Sequence, residues 1–332
     1  MSTVAVLGAG SWGTTLADLL ARKGETVRLW AYESEVAEAI NRAHENPVYL
    51  AGVPLSPALR ASADAREVVA GASVVVSAAP SHAVRSVLVT AADAVAPEAL
   101  VVSATKGIET DTLALMSAVI AECVPQARVA VLSGPSFALE VCHGQPTAVV
   151  AAAHEPGNAG AVQRLFATSA FRVYSGADVT GVELAGALKN VIAVAAGILE
   201  GLGLGHNPRA ALITRGLAEI TRLGLAMGAD PRTFAGLAGM GDLVLTTTGS
   251  LSRNRALGVA VGQGQTLAQY RAAHRSVAEG ANTSRAGAAL GERLGVELPI
   301  TAKVCEVLFT GKPARDAVPE LMERELKSEH WR

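Results

Sequence analysis

The 332-residue chain has three cysteines, Cys123, Cys142 and Cys305, with no CxxC pair and no histidine at metal-ligand spacing beside them. That scatter excludes a disulfide framework and a zinc motif, and reads as buried thiols in a reducing compartment with no metal site. Charge of one sign is also scarce. With 28 basic and 30 acidic residues the formal net charge is -2, so no general attraction to nucleic acid or to an anionic membrane is expected. Any phosphate-bearing ligand must be caught by local groups. No basic segment precedes the N-terminal apolar run, and glycines interrupt that run, so no signal peptide is expected. The most apolar later stretch, residues 190–199, is short of the ~20 residues that span a bilayer. It reads as a buried core helix of a cytoplasmic protein without membrane insertion. Internal repeats, low-complexity tracts and long linkers are absent as well. Hydrophobic residues make up 50% and charged ones 17%, a globular composition, and the length suits two domains.

The strongest feature is the start. Val4-Ala5-Val6-Leu7 runs into Gly8-Ala9-Gly10-Ser11-Trp12-Gly13 and then into a helical stripe of Leu16, Leu19 and Leu20. In a G-x-G-x-x-G turn the first glycine permits the bend, the second lets backbone approach a pyrophosphate, and the third lets helix and strand pack closely. The helix N-terminus offers free N–H groups to the anion. A second strand over 26–30 follows Gly24, completing the βαβ unit that a dinucleotide site requires.

Downstream, apolar runs predict strands over 73–77, 100–103, 129–132, 147–151 and 171–174. Between them, helices are predicted from Ser81 onward and over 110–123, 136–141 and 156–167. Continuous apolar strands alternating with helices indicate a parallel sheet covered on both faces. Residues 1–178 are therefore expected to form a doubly wound α/β domain of Rossmann type. Residues 179–332 read as all-α, with helices over 179–200, 208–227, 253–261, 267–273, 281–294 and 301–309. Pro208 suits a first helical turn. The site is expected in the cleft between the two, outside the carboxyl ends of the strands.

Four polar clusters carry chemistry. Lys106, in Ser103-Ala104-Thr105-Lys106-Gly107, follows a strand and either meets anionic or carbonyl oxygens or is an ordinary loop lysine. Ser136, in Ser133-Gly134-Pro135-Ser136, either caps a helix or binds a polar ligand. Lys189 lies among Leu184, Leu188, Val191 and Ile192. Desolvation there, and a neighbouring Lys106, would lower its pKa and suit it to proton exchange near neutral pH; the alternative is a snorkelling side chain. Asp242 follows a flexible glycine turn and could pair with a lysine. Beyond it, Ser252 reads as an N-cap with Arg253, Asn254 and Arg255 behind it. Arginine at a helix start opposes the dipole unless a bound phosphate reverses the balance. The two arginines and the asparagine therefore suggest a second phosphate site.

These segments together resemble the bacterial NAD(P)-dependent glycerol-3-phosphate dehydrogenases over essentially the whole chain. The strings that carry the likeness are GAGSWGTTLA at 8–17, KGIE at 106–109, SGPSFA at 133–138, GVELAGALKNVIAVAAG at 181–197, NPRAALITRGLAEI at 207–220, GDL at 241–243 and SRN at 252–254. The resemblance implies reversible reduction of dihydroxyacetone phosphate to sn-glycerol 3-phosphate, a precursor of glycerophospholipids, with NAD or NADP as cofactor. It implies Lys189 as proton donor or acceptor at the C2 oxygen, Lys106 as the group polarising that oxygen, and Asp242 as the carboxylate that contacts substrate and orients the lysine. Ser252, Arg253 and Asn254 would meet the substrate's phosphate, and Gly134 and Ser136 the rest of it. On the cofactor side it implies Gly8, Gly10, Gly13, Ser11, Trp12 and Tyr32, then Lys106, Ala138, Arg253, Val277 and Glu279.

One departure stands out. Many relatives carry a basic residue in the segment that here reads Ala31-Tyr32-Glu33, where arginine can meet the 2′-phosphate of NADP; here Tyr32 is followed by Glu33, close to where an acid bonds the ribose 2′-OH of NAD. Weaker NADP discrimination, toward NAD, is expected. A rival reading is a 3-hydroxyacid dehydrogenase of the 6-phosphogluconate type. There an asparagine lies about a turn beyond the lysine, whereas here Asn190 is adjacent to Lys189 and Val194 holds the later position. The other rival is a non-catalytic NAD(P)-sensing protein, which has no reason to bury Lys189 or keep a second phosphate site. The apolar C-terminal helices suit a homodimer and a domain interface equally.

Overall fold

Apolar β-branched runs become the strands of one sheet: β1 Thr3–Leu7, β2 Thr26–Trp30, β3 Arg60–Ser62, β4 Val74–Ser77, β5 Leu100–Ser103, β6 Arg128–Ser133, β7 Thr147–Ala152 and β8 Phe171–Gly176. This computed structural model describes residues 2–326, 328 and 329. Met1, Lys327, His330, Trp331 and Arg332, which the expected domain ranges include, lie outside the described residues. The sheet order is β3-β2-β1-β4-β5-β6-β7-β8. Helices α1 Ser11–Lys23, α2 Ser34–Ala43, α3 Ala65–Val69, α4 Val84–Ala91, α5 Met116–Cys123, α6 Ala138–Cys142 and α7 Pro156–Phe166 lie between the strands. Val4, Val6, Leu29, Val76 and Val102 are fully or almost fully buried with Leu16 and Leu20 in one core. Ala5, Leu7, Val75 and Val101 pack into a second, so both sheet faces are covered.

The chain runs outward from β1 through β2 and β3, then returns to β4 on the other side of β1. That reversal makes the switch point where α/β sheets bind ligands. Gly8 ends β1 there with φ +119°, and a Cβ on it would stand 2.7 Å from the Ala79 nitrogen just past β4. Only glycine fits both the backbone angle and the approach.

The structure corrects several expectations. The sheet is not wholly parallel, because β6 and β7 run antiparallel with Leu132 opposite Ala151. Their connection holds only the short α6 and a turn at Gly144 with φ +71°, so the chain reverses instead of crossing over. The helix predicted over 110–123 begins only at Met116. Ile108 pairs antiparallel with Leu115 ahead of it, and Leu113 turns through φ 61°. Residues 34–69 also contain α2, β3 and α3, which no apolar run advertised.

Beyond Gly176 the chain is helical: α8 Val179–Gly201, α9 His206–Ala226, α10 Pro231–Phe234, α11 Asp242–Thr248, α12 Arg253–Gly262, α13 Leu267–Ala273, α14 Glu279–Leu294, α15 Pro299–Phe309 and α16 Ala314–Met322. Asp178 starts α8, its carboxylate accepting the Gly181 N–H at 2.9 Å and, on its other oxygen, the Asp230 N–H and Thr233 hydroxyl. α8 has 23 residues, and an 18-residue stretch of it, with mean hydropathy 1.7, is long and apolar enough to cross a membrane, but that stretch lies wholly inside the protein. The bounds of α8 agree with the expected 179–200, small residues and a few polar ones extending the buried helix beyond its most apolar stretch. α12 crosses α8 backbone to backbone. A Cβ on Gly197 would stand 2.1 Å from the Arg255 carbonyl oxygen, and one on Gly258 would stand 2.0 Å from that of Val194. Two glycines on each helix, Gly197 and Gly201 against Gly258 and Gly262, set this separation.

Candidate active site

The glycine turn delivers an open cradle. Gly10 is the N-cap of α1 and supplies no side-chain cap, so the first N–H groups of the helix are unspent. A Cβ on Gly10 would meet nothing within 4 Å, whereas one on Gly13 would strike the Gly8 carbonyl oxygen at 1.9 Å. Gly13 thus packs the helix on the strand, while Gly10 leaves room for a ligand against the backbone. These features fit a pyrophosphate.

A cleft of about 800 Å³ runs from this turn to the helical half of the chain. Gly8, Gly10, Ser11, Trp12 and Tyr32 line one end, and Lys106, Ser136, Ala138, Lys189, Ser252, Arg253, Asn254, Val277 and Glu279 line the rest. Gly13, Gly134 and Asp242 stand behind that wall. Gly134, with φ +141°, turns its carbonyl to the Lys106 ammonium at 2.8 Å.

The chemical centre is two lysines on one carboxylate. Asp242 is 1% exposed; its Oδ1 accepts from Lys189 Nζ at 2.8 Å and its Oδ2 from Lys106 Nζ at 2.6 Å. The turn before Asp242 is not a loose one. Leu237–Gly241 forms a π-helical turn, with the Gly241 N–H reaching back to the Gly236 carbonyl, and it delivers Asp242 as the first residue of α11. Such turns recur at functional sites. Burial pushes the Lys189 ammonium down to about 8, aided by the Lys106 charge, while Asp242 opposes the fall. Snorkelling is thereby excluded, since the residue is 7% exposed.

The donors can be counted. Each ammonium has three N–H groups. Among the described residues Lys106 spends two, on Gly134 and Asp242, and Lys189 one, on Asp242. The remaining N–H groups are available at the cleft wall both lysines line. With both lysines protonated the trio carries one net positive charge, which suits an oxygen that becomes negative.

Asn190, adjacent to Lys189, ties this centre to the α12 end of the cleft. Its amide donates to the Lys106 carbonyl at 3.2 Å, its oxygen accepts from Asn254 at 2.9 Å, and the Asn254 oxygen accepts the Gly280 N–H at 2.9 Å. Asn254 keeps a second N–H for the cleft. Sequence reading passed over Asn190 as a working residue, although its place beside Lys189 was the available signal. Glu279, at the start of α14, accepts from the Ser81 N–H and hydroxyl at 2.8 and 2.6 Å. It lines the cleft while binding the α14 start to the loop after β4.

Two assignments change. Ser136 does not cap a helix: its hydroxyl donates to the Gly134 carbonyl at 3.0 Å and Phe137 is the N-cap of α6. The Gly134 turn leaves Ser136 two residues short of the helix. Arg255 is not free for a phosphate, because Glu200 holds it by both carboxylate oxygens, at 2.7 and 2.9 Å. Arg253 remains exposed in the cleft, with no hydrogen-bond or ion-pair partner among the described residues. Ser252 does cap α12, its Oγ accepting the Arg255 N–H at 3.2 Å.

Comparison with known proteins finds the same pattern at full length. Residues 3–159 match the profile described as NAD-dependent glycerol-3-phosphate dehydrogenase N-terminus, and residues 178–319 match the corresponding C-terminus. A protein of Geobacter sulfurreducens named glycerol-3-phosphate dehydrogenase [NAD(P)+] is 58% identical over 331 residues, covering 99% of each chain. One of Myxococcus xanthus with the same name is 50% identical over 327 residues, covering 98% of each. The crystal structure of a glycerol-3-phosphate dehydrogenase from Coxiella burnetii superimposes with a TM-score of 0.94 at 39% identity, over 97% of this chain and 99% of that one.

Proposed function

Because the chain belongs to the NAD-dependent glycerol-3-phosphate dehydrogenase family, we propose that it interconverts dihydroxyacetone phosphate and sn-glycerol 3-phosphate with NAD(H) or NADP(H). This is an oxidoreductase activity that supplies glycerophospholipid synthesis. The observation that supports it best is the pair of lysines on buried Asp242, set between a pyrophosphate cradle and Arg253 at the start of α12, which has no hydrogen-bond or ion-pair partner among the described residues. Residues 1–178 carry the cofactor and 179–332 supply Lys189, Asp242 and the substrate's phosphate site. Relatives matched over their whole length favour neither a 3-hydroxyacid dehydrogenase nor a sensor. The enzyme works in the cytoplasm, and α8 serves it as a core helix.

The bound dihydronicotinamide supplies a hydride to the ketone carbon. This chain's residues do the rest. Lys106 and Lys189 donate hydrogen bonds to the C2 oxygen as negative charge grows on it, an electrostatic stabilisation. Lys189 then gives up a proton to that oxygen, and Asp242 keeps the lysine aimed. In the reverse direction neutral Lys189 takes the proton from the C2 hydroxyl. Arg253, the second N–H of Asn254 and the start of α12 hold the phosphate. Remote binding energy thereby orients C2.

An NADH-consumption assay decides the substrate class. Dihydroxyacetone phosphate should support turnover and unphosphorylated dihydroxyacetone should support little. Comparable rates with both, or turnover only with 3-oxoacids or other keto acids, would contradict the reading.

A further inference from the structure

At the far end of the cleft from the lysines, the loop after α2 is wired to the glycine turn. Asn46 is fully buried; its amide donates to the Ala9 carbonyl at 2.8 Å and to the Thr14 hydroxyl at 2.9 Å. Its oxygen accepts the Tyr49 N–H at 3.0 Å. From the other side the Ser11 hydroxyl donates to the Tyr49 carbonyl at 2.6 Å. Tyr49 therefore has a fixed place relative to the pyrophosphate cradle. Its own hydroxyl donates to Glu33 Oε1 at 2.6 Å, and burial together with the Glu33 carboxylate pushes the phenol up to about 12, so it stays a donor at any physiological pH.

The consequence falls on Glu33, three residues past the end of β2 and on the cleft wall beside Tyr32 and Trp30. One oxygen is spent on Tyr49, and the other is unbonded among the described residues. A carboxylate only accepts. It welcomes a ribose hydroxyl, which can donate, and repels a 2′-phosphate, which at neutral pH carries close to two negative charges. Arg275 is the opposing influence, since it lines the same end of the cleft and its charge is felt at Tyr49. Arg275 is exposed on the segment between α13 and α14, whereas Glu33 is held in place.

We propose that Glu33, locked by Tyr49, is the residue that makes this chain select NAD(H) over NADP(H), with Tyr49 as its positioning residue. The proposal rests on the cofactor reading above and not on the identity of the ketone.

The test is direct binding of NADH and NADPH without ketone, followed by quenching of the fluorescence of Trp12 and Trp30, which line the cleft. Wild type should bind NADH at least about tenfold more tightly than NADPH, the scale of a close like-charge repulsion in a partly solvated site. Glu33→Gln should narrow that ratio by about tenfold, mainly through tighter NADPH binding. Tyr49→Phe should narrow it in part, and should change it little once Glu33→Gln is present, as coupled residues do. An unchanged ratio in Glu33→Gln overturns the proposal. So does a wild-type preference for NADPH that disappears in Arg275→Gln, which would give the 2′ position to Arg275. Binding of neither cofactor overturns the dinucleotide reading and the proposal with it, whereas failure of the ketone to turn over leaves the measured ratio intact.

Discussion

Glu200, in the last turns of α8, holds Arg255 by both carboxylate oxygens, at 2.7 and 2.9 Å. Arg209 of α9 joins the same carboxylate at 3.2 Å. The two arginines near the start of α12 are therefore unlike: Arg255 fastens the helix to α8, and Arg253 alone faces the cleft.

Arg253→Ala should raise KM for dihydroxyacetone phosphate by about tenfold or more, the scale of a lost charge-assisted contact to phosphate, with a smaller change in kcat. Arg255→Ala should lower Tm more and that KM less. Steady-state kinetics and thermal unfolding of both variants check this. An unchanged KM in Arg253→Ala, or the reverse ranking, would displace the phosphate site.

The pH profile follows from Lys189, which burial pushes down to about 8. As proton donor it must be charged, so kcat/KM for ketone reduction should fall as pH rises through about 8. As proton acceptor it must be neutral, so kcat/KM for glycerol 3-phosphate oxidation should rise over the same range. Stability runs the other way from reduction. Between about 8 and the ordinary lysine value of 10.5 the unfolded chain binds more protons, so this group makes folding more favourable as pH rises. Loss of reduction above pH 8 should therefore appear without loss of Tm. Parallel profiles in the two directions would contradict Lys189 as the proton carrier.

Gly258→Ala tests the helix crossing. Its Cβ would lie 2.0 Å from the Val194 carbonyl oxygen and 2.8 Å from Gly197 Cα, so α8 and α12 must separate. A loss of about 1–3 kcal/mol is expected from the overpacking, with a raised KM for the phosphorylated ketone because Arg253 moves relative to Lys189. Ala256→Ser, on the exposed side of α12, serves as the control. Unchanged Tm and KM in Gly258→Ala would show that the spacing is not set there.

Much of this architecture was legible because it is written in local pattern. The run Val4 to Leu7 into Gly8 announces a strand and a turn, and an apolar sequence around Lys189 announces a buried helix with a misplaced charge. What stayed hidden depends on contacts between residues far apart in sequence. No local spacing reveals that Arg255 is claimed by Glu200, or that Asn46 and Ser11 pin the Tyr49 loop. The direction of β7 follows from how the chain reverses after α6, which its apolar composition does not encode. The π-helical turn before Asp242 reads in the sequence as a loose glycine turn, since glycines signal freedom and not the geometry adopted. Residues 34–69 escaped because their short, partly exposed elements lack the apolar run that marks a central strand.

The most direct measurement is turnover of Lys189→Met with dihydroxyacetone phosphate and NADH, alongside NADH binding to the same variant. Methionine keeps the bulk of the buried side chain and removes its charge and its proton. The expected result is a fall in kcat on the order of 10²-fold or more with NADH binding retained. A kcat within about threefold of wild type, where general acid–base catalysis contributes far more, would remove Lys189 from the mechanism and contradict the role of the two-lysine centre on Asp242.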